Sequence, residues 1–347
     1  RVSERRAIGQ GNLMIISNIM LRTVPEHLMA GVSSGQLEVL GSIIRSTSSG
    51  KIVAHLQEAA PLANLLARAP LDLVIAPLDL AAQATQIGQN EQIKAGIDAL
   101  RELQTAGLVL NAASIGISVA GFAMLNRKIN ALQADIGAVH SQLQGIDSKL
   151  DALWKEPWER DRQSLMTLAE KLDESWFLAD GRGELADISS EAHSLANQFH
   201  RHAKDALESE TFFLVAVPTI EAFAFASSIR VTARLAMDEN KAALEASFGS
   251  AEKISALVSG IKPENEVLLK LQTQSDLFGT SSWTESLEDQ RRRLIFPAAR
   301  LRSMETSSAT SAVTVESLIE HGISGRDWLE AAGTEEHSPL LVWEAGA

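Results

Sequence analysis

Residues 103–126 read LQTAGLVLNAASIGISVAGFAMLN, and residues 127–153 continue RKINALQADIGAVHSQLQGIDSKLDAL. The first stretch is 24 positions long and carries no charged side chain. The second places Ile129, Leu132, Ile136, Val139, Leu143, Ile146, Leu150 and Leu153 at alternating steps of three and four. That alternation is the apolar seam of a left-handed coiled coil. The two together predict a mainly α protein: an elongated helical bundle with a long heptad-bearing helix over 127–156.

The uncharged stretch is long enough to cross a bilayer, which takes about 20 apolar residues. Leu108, Val109, Leu110, Ile115, Ile117, Val119, Phe122, Met124 and Leu125 are the side chains that would enter lipid. Ala112, Gly116 and Ala120 repeat every fourth residue, so helix backbones can approach closely there. Arg127 and Lys128 stand at one end as interfacial anchors. Asn111, Ser114 and Ser118 dilute the hydrophobicity. Three readings stay open: a permanent core helix, a segment first buried and later inserted, or a permanent span. The positions flanking the seam, among them Gln133, His140 and Gln142, carry few charges. Partner-selecting coiled coils use Glu and Lys there, so the seam is expected to pack within its own chain.

Charge separates the chain into two parts. Residues 1–126 hold 9 basic and 9 acidic side chains; residues 127–347 hold 22 basic and 35 acidic, the whole of the −13 net charge. An acidic surface disfavours a phosphate-backbone partner, so no nucleic acid is expected. Arg291, Arg292 and Arg293 form the only basic run. Cysteine is absent, which excludes disulfides, thiolate metal sites and a cysteine nucleophile. No secretory signal is visible, and a cytoplasmic or membrane-associated location is expected.

Outside 103–153 the pattern divides the chain into three regions. Residues 1–60 form a small β-containing element. Apolar residues over 36–44 and 51–56 flank a Ser/Thr turn in which Gly50 takes a positive φ, and residues 13–21 add a strand or a covering helix. Residues 61–302 form the helical bundle. A new helix starts at Pro157 and buries Trp158, Leu165, Leu168, Leu172 and Trp176 up to Gly181-Arg182-Gly183. The next buries Leu185, Ile188, Leu195 and Phe199. A second apolar stretch, 211–228, is broken by Pro218. Further breaks fall at 260–263, at Phe278-Gly279 and at Pro297. Residues 303–311 read as a polar linker, and a short helical unit capped by Ser324 completes the third region, 303–347. Strands are expected only in the first 60 residues.

No catalytic residue, cofactor or metal is nominated. Ser48-Ser49-Gly50-Lys51 lacks the upstream glycine and the following hydroxyl of a phosphate loop, with Arg45 and Ile52 in those places. His193 and His200 share a helix face, but His202 points roughly the other way at 100° per residue. No small-molecule substrate is identified.

A long helix, a membrane-length apolar segment and a charged helical remainder without a catalytic motif resemble the α-helical pore-forming toxins of the cytolysin A and haemolysin BL type. The resemblance is architectural, carried by 103–153 and more weakly by 211–228. It implies a non-enzymatic protein that hides 103–126 in a bundle, then inserts it into a lipid membrane and forms a homo-oligomer there. The alternative is a soluble helical scaffold or interaction module whose apolar segment never leaves the core.

Overall fold

The computed structural model describes residues 21–59, 148–178, 180–208, 213–259, 261, 267, 278–335, 338 and 340–344. The apolar segment 103–126 and the seam positions 129–146 lie outside these residues. Leu150 and Leu153 fall on a described helix backbone. The described residues are mainly helical, with a hairpin near the N-terminus.

The helical body is built around α4 (Phe213–Ala236), in which every residue from Ala216 to Ser227 is buried. A helix apolar on all sides has to lie inside other helices. Its neighbours are α2 (Ser148–Ser175), α3 (Arg182–Glu208), α5 (Asn240–Ser259) and α6 (Ser281–Glu320). α3 presents Leu185, Ile188, Ala192, Leu195, Ala196, Phe199, Ala203 and Ala206 to the core at helical spacing. α2 contributes Trp158, Leu165, Leu168 and Leu172, and the Trp158 ring meets Phe199 at 5.6 Å between centroids. These are the faces that the periodicity predicts.

Three prolines act differently from the sequence expectation. Pro157 and Pro218 lie inside α2 and α4, and Pro297 lies inside α6, yet none ends its helix. An interior proline removes one backbone bond and costs about 3 kcal/mol. Around Pro218 the unbroken buried run from Ala216 to Ser227 outweighs that local cost.

The 303–311 stretch is likewise no linker. It lies within α6, and Ser307, Ser308, Thr310 and Ser311 are buried. The last two donate their hydroxyls back to carbonyls one turn earlier: Thr310 Oγ1 to Thr306 O at 3.0 Å, Ser311 Oγ to Ser307 O at 2.6 Å. A small side chain that satisfies its own hydroxyl can be buried at close helix contact. The third sequence region therefore has no border at 303.

The sheet departs from the expected element in a second way. Its order is β1 (Arg22–Thr23), β5 (Leu340–Glu344), β4 (Ile52–Glu58), β3 (Ile43–Ser46), β2 (Leu37–Leu40), and all neighbours are antiparallel. The strand expected over 36–44 is two strands, joined at Gly41-Ser42 with Gly41 at φ 53°. Gly50 has the expected positive φ, at 70°. β5 comes from beyond residue 60 and sits between β1 and β4, so strands are not confined to the N-terminal part. α1 (Glu26–Ser33) is a covering helix, while 13–20 lie outside the described residues. Ser324 accepts from Asp327 N and caps α7 (Gly325–Thr334), as its position predicts.

Candidate functional site

Two polar groups stand out, one at the joint between sheet and helices and one on the flank of the helical body. The first centres on His55 of β4, which is 2% exposed. Its Nδ1 lies 3.1 Å from Thr314 Oγ1 of α6, and the Ser42 hydroxyl is 3.1 Å from the same oxygen. The His55 ring stacks on Trp343, its partner across the β4–β5 ladder, at 5.3 Å. Trp343 also receives the edge of His321 at 4.8 Å. Two residues along β4, Gln57 Oε1 accepts from Trp328 Nε1 of α7 at 2.7 Å. Period-two alternation places His55 and Gln57 on one face of the strand.

Burial, with a smaller contribution from His321, holds the His55 pKa down at about 4. The ring is therefore neutral, and it meets a hydroxyl instead of the carboxylate that orients a histidine base. The geometry suits a structural polar joint. It also predicts an acid-sensitive fold. Unfolded His55 takes up a proton near pH 6.5, whereas folded His55 stays neutral to about pH 4. Stability from this group is thus full above that upper value and falls as pH drops through the window. At about 1.4 kcal/mol per pH unit the loss reaches roughly 3 kcal/mol. Urea unfolding of the wild type and of His55→Leu across this range isolates the effect. A parallel pH slope in the two proteins would refute it.

The second group uses two of the three histidines singled out by the sequence. His193 and Asn197 of α3 lie one turn apart, with Asn197 Nδ2 3.3 Å from His193 Nε2. Arg230 of α4 donates to His193 Nδ1 at 2.8 Å, and Lys253 of α5 donates to Asn197 Oδ1 at 2.9 Å. His200 packs its ring 5.6 Å from Phe223 and lies in the field of Lys253 and Lys204. His202 points elsewhere, 3.9 Å from Asp161 of α2. The separation follows the helical rotation expected between positions 200 and 202. Partial burial and then Arg230 and Lys253 lower the His193 pKa; partial burial and then Lys253 and Lys204 lower that of His200. Arg230 and Lys253 were not foreseen, because residues on different helices leave no common spacing to read.

Among the described residues no three acidic or histidine side chains gather as a metal site, and no helix is long and apolar enough to cross a membrane. Comparisons of the chain with protein families, curated proteins and solved structures find no match.

Proposed function

We propose that the chain is a non-enzymatic, membrane-active helical protein whose segment 103–126 inserts into lipid, with a homo-oligomer on the membrane as its working form. The observation that carries this reading is a division of roles between two apolar segments. α4 occupies the centre of the described bundle. The longest uncharged run of the chain is a different segment, 103–126, which has the length and small-residue ladder of a membrane helix. This supports insertion over service as the central core helix. The likeness to α-helical pore-forming toxins points the same way.

The chain has no cysteine, so a single introduced thiol reports cleanly. Val119→Cys carrying a solvatochromic dye is expected to shift to the blue on liposomes and to be quenched by nitroxides in the acyl region. The same dye at Phe177, which is 86% exposed on the α2–α3 turn, is expected to stay aqueous. Adding Ile117→Asp should lower membrane partition about 100-fold, since a central charge costs roughly 2.5–3.5 kcal/mol on the insertion scale. Dye release by the wild type should fall with it. If Val119 stays aqueous at every pH and lipid composition, the membrane reading is wrong.

A second reading, an interaction scaffold, is favoured by the apolar tip Phe177 and Leu178, both exposed. In that case Phe177→Ser would abolish partner capture and leave liposomes untouched.

A further inference from the structure

We infer that His193, Asn197, Arg230 and Lys253, with His200 beside them, form a binding site for a phosphate-class oxyanion on the flank of the helical body. The inference is independent of the membrane reading. It begins from how other cations of this body are treated. Arg162 is held by Glu159, Lys171 by Glu191, Arg182 and Arg234 by Glu239, Arg302 by Glu305, and Arg326 by Glu330. With 44 acidic side chains against 31 basic ones, carboxylates are plentiful. The exposed Arg201 and Lys241 lack a carboxylate partner among the described residues, and so do Arg230 and Lys253, which are half-buried. The hydrogen bonds of Arg230 and Lys253 go to a neutral imidazole and an amide.

That arrangement leaves donors in surplus. The guanidinium points one N–H at His193 Nδ1 and Asn197 Nδ2 points another at His193 Nε2, of which a neutral ring can accept only one, while Arg230 Nε is buried without a hydrogen-bond partner. A planar guanidinium fork, an ammonium and imidazole N–H groups are the donor set that fits a tetrahedral oxyanion. The groups come from three helices packed around a rigid core, so their placement does not depend on a loop. All are partly or fully exposed, which leaves the site open to solvent.

The electrostatics agree with the geometry. His193 and His200 on α3 face Arg230 on α4 and Lys253 on α5, with Lys204 on α3 and Arg234 on α4 behind them. The cations depress the imidazoles, and Arg234 adds to the burial that depresses Arg230. A bound anion offsets this repulsion and raises both histidines. Anion binding therefore takes up protons, and affinity rises as pH falls below neutrality.

The test follows the ring-proton NMR signals of His193 and His200 in the full chain. The soluble probes are inorganic phosphate and sulfate; the charge of sulfate is constant across the neutral range, so it isolates the histidine linkage. The membrane probes are vesicles of phosphatidylcholine alone and of phosphatidylcholine with phosphatidic acid. Saturable shifts with phosphate and sulfate, stronger at lower pH and at least tenfold weaker in Lys253→Gln and Arg230→Gln, support a site for a free oxyanion. Shifts seen only with phosphatidic acid and lost in the same variants support a lipid headgroup as its source. Arg182→Gln, a change at a paired arginine elsewhere, should leave every titration unchanged. Lys253→Gln removes an ammonium without touching the core, so it remains informative if Arg230→Gln fails to fold. Unsaturable shifts that chloride reproduces at equal ionic strength, or shifts unaffected by Lys253→Gln, would overturn the assignment.

Discussion

Trp328→Ala is expected to cost about 5 kcal/mol, enough to leave much of the chain unfolded at ambient temperature. Trp328 is fully buried on α7, the helix that precedes strand β5 in the chain. Its ring meets the edge of Trp343 at 6.2 Å, and its indole N–H donates to Gln57. Alanine leaves a cavity, which for an aromatic residue costs roughly 3–5 kcal/mol. It also gives up the hydrogen bond to Gln57 Oε1, a further loss of about 0.5–1.5 kcal/mol. Trp328→Phe keeps most of the volume and gives up the hydrogen bond, so its cost should be the smaller part. Urea unfolding followed by near-ultraviolet circular dichroism separates the two. Equal midpoints for the two variants would mean that the cavity does not matter and that this joint does not hold the chain ends together.

Gly41→Ala should be the second most damaging change, at roughly 3 kcal/mol or more. The residue has φ 53°, where a side chain adds about 1–2 kcal/mol of strain. A Cβ there would also stand 2.9 Å from the Ser307 backbone Cα and press on the Thr310 hydroxyl. Overpacking of that kind costs about 1–3 kcal/mol more. Ser42 N now donates to Thr310 Oγ1 at 3.0 Å, a bond that the displaced turn would lose. Gly50→Ala is the control: φ is 70°, but nothing lies within 4 Å of the added carbon. It should show the strain alone. Thermal melts giving Gly50→Ala a loss as large as Gly41→Ala would remove the packing argument.

Gly41 sits at the seam between the sheet and α6, and Trp328 of α7 packs against the same sheet; these joints are the part of the fold that was least legible beforehand. Ser307, Thr310, Ser311 and Thr314 look like loop residues when read singly, because hydroxyl side chains favour turns. In the fold Thr310, Ser311 and Thr314 each bond to a carbonyl of their own helix, and the small size of these residues lets Gly41 and Ser42 come close. Leu340, Leu341 and Val342 were unassigned as a strand because five residues without a local partner carry no hairpin signal. The partners of this strand, 22–23 and 54–58, are about 280 or more positions away. The histidine group was legible in part: the 100° rotation that separates His202 from His200 is a property of one helix.

What the amino-acid order determines alone is local and periodic. The buried stripes of α2 and α3, the positive φ of Gly50, the turn at Phe278-Gly279 and the Ser324 cap each depend on residues within a few positions of one another. Physical chemistry at that range is set by covalent geometry and by the 3.6-residue repeat. Only the tertiary structure decides whether a proline is passed or ends a helix, whether a Ser/Thr run is buried, where the last strand pairs, and which cations share a pocket. Those outcomes depend on burial against elements far away in the chain, and that energy exceeds the local preferences it overrides.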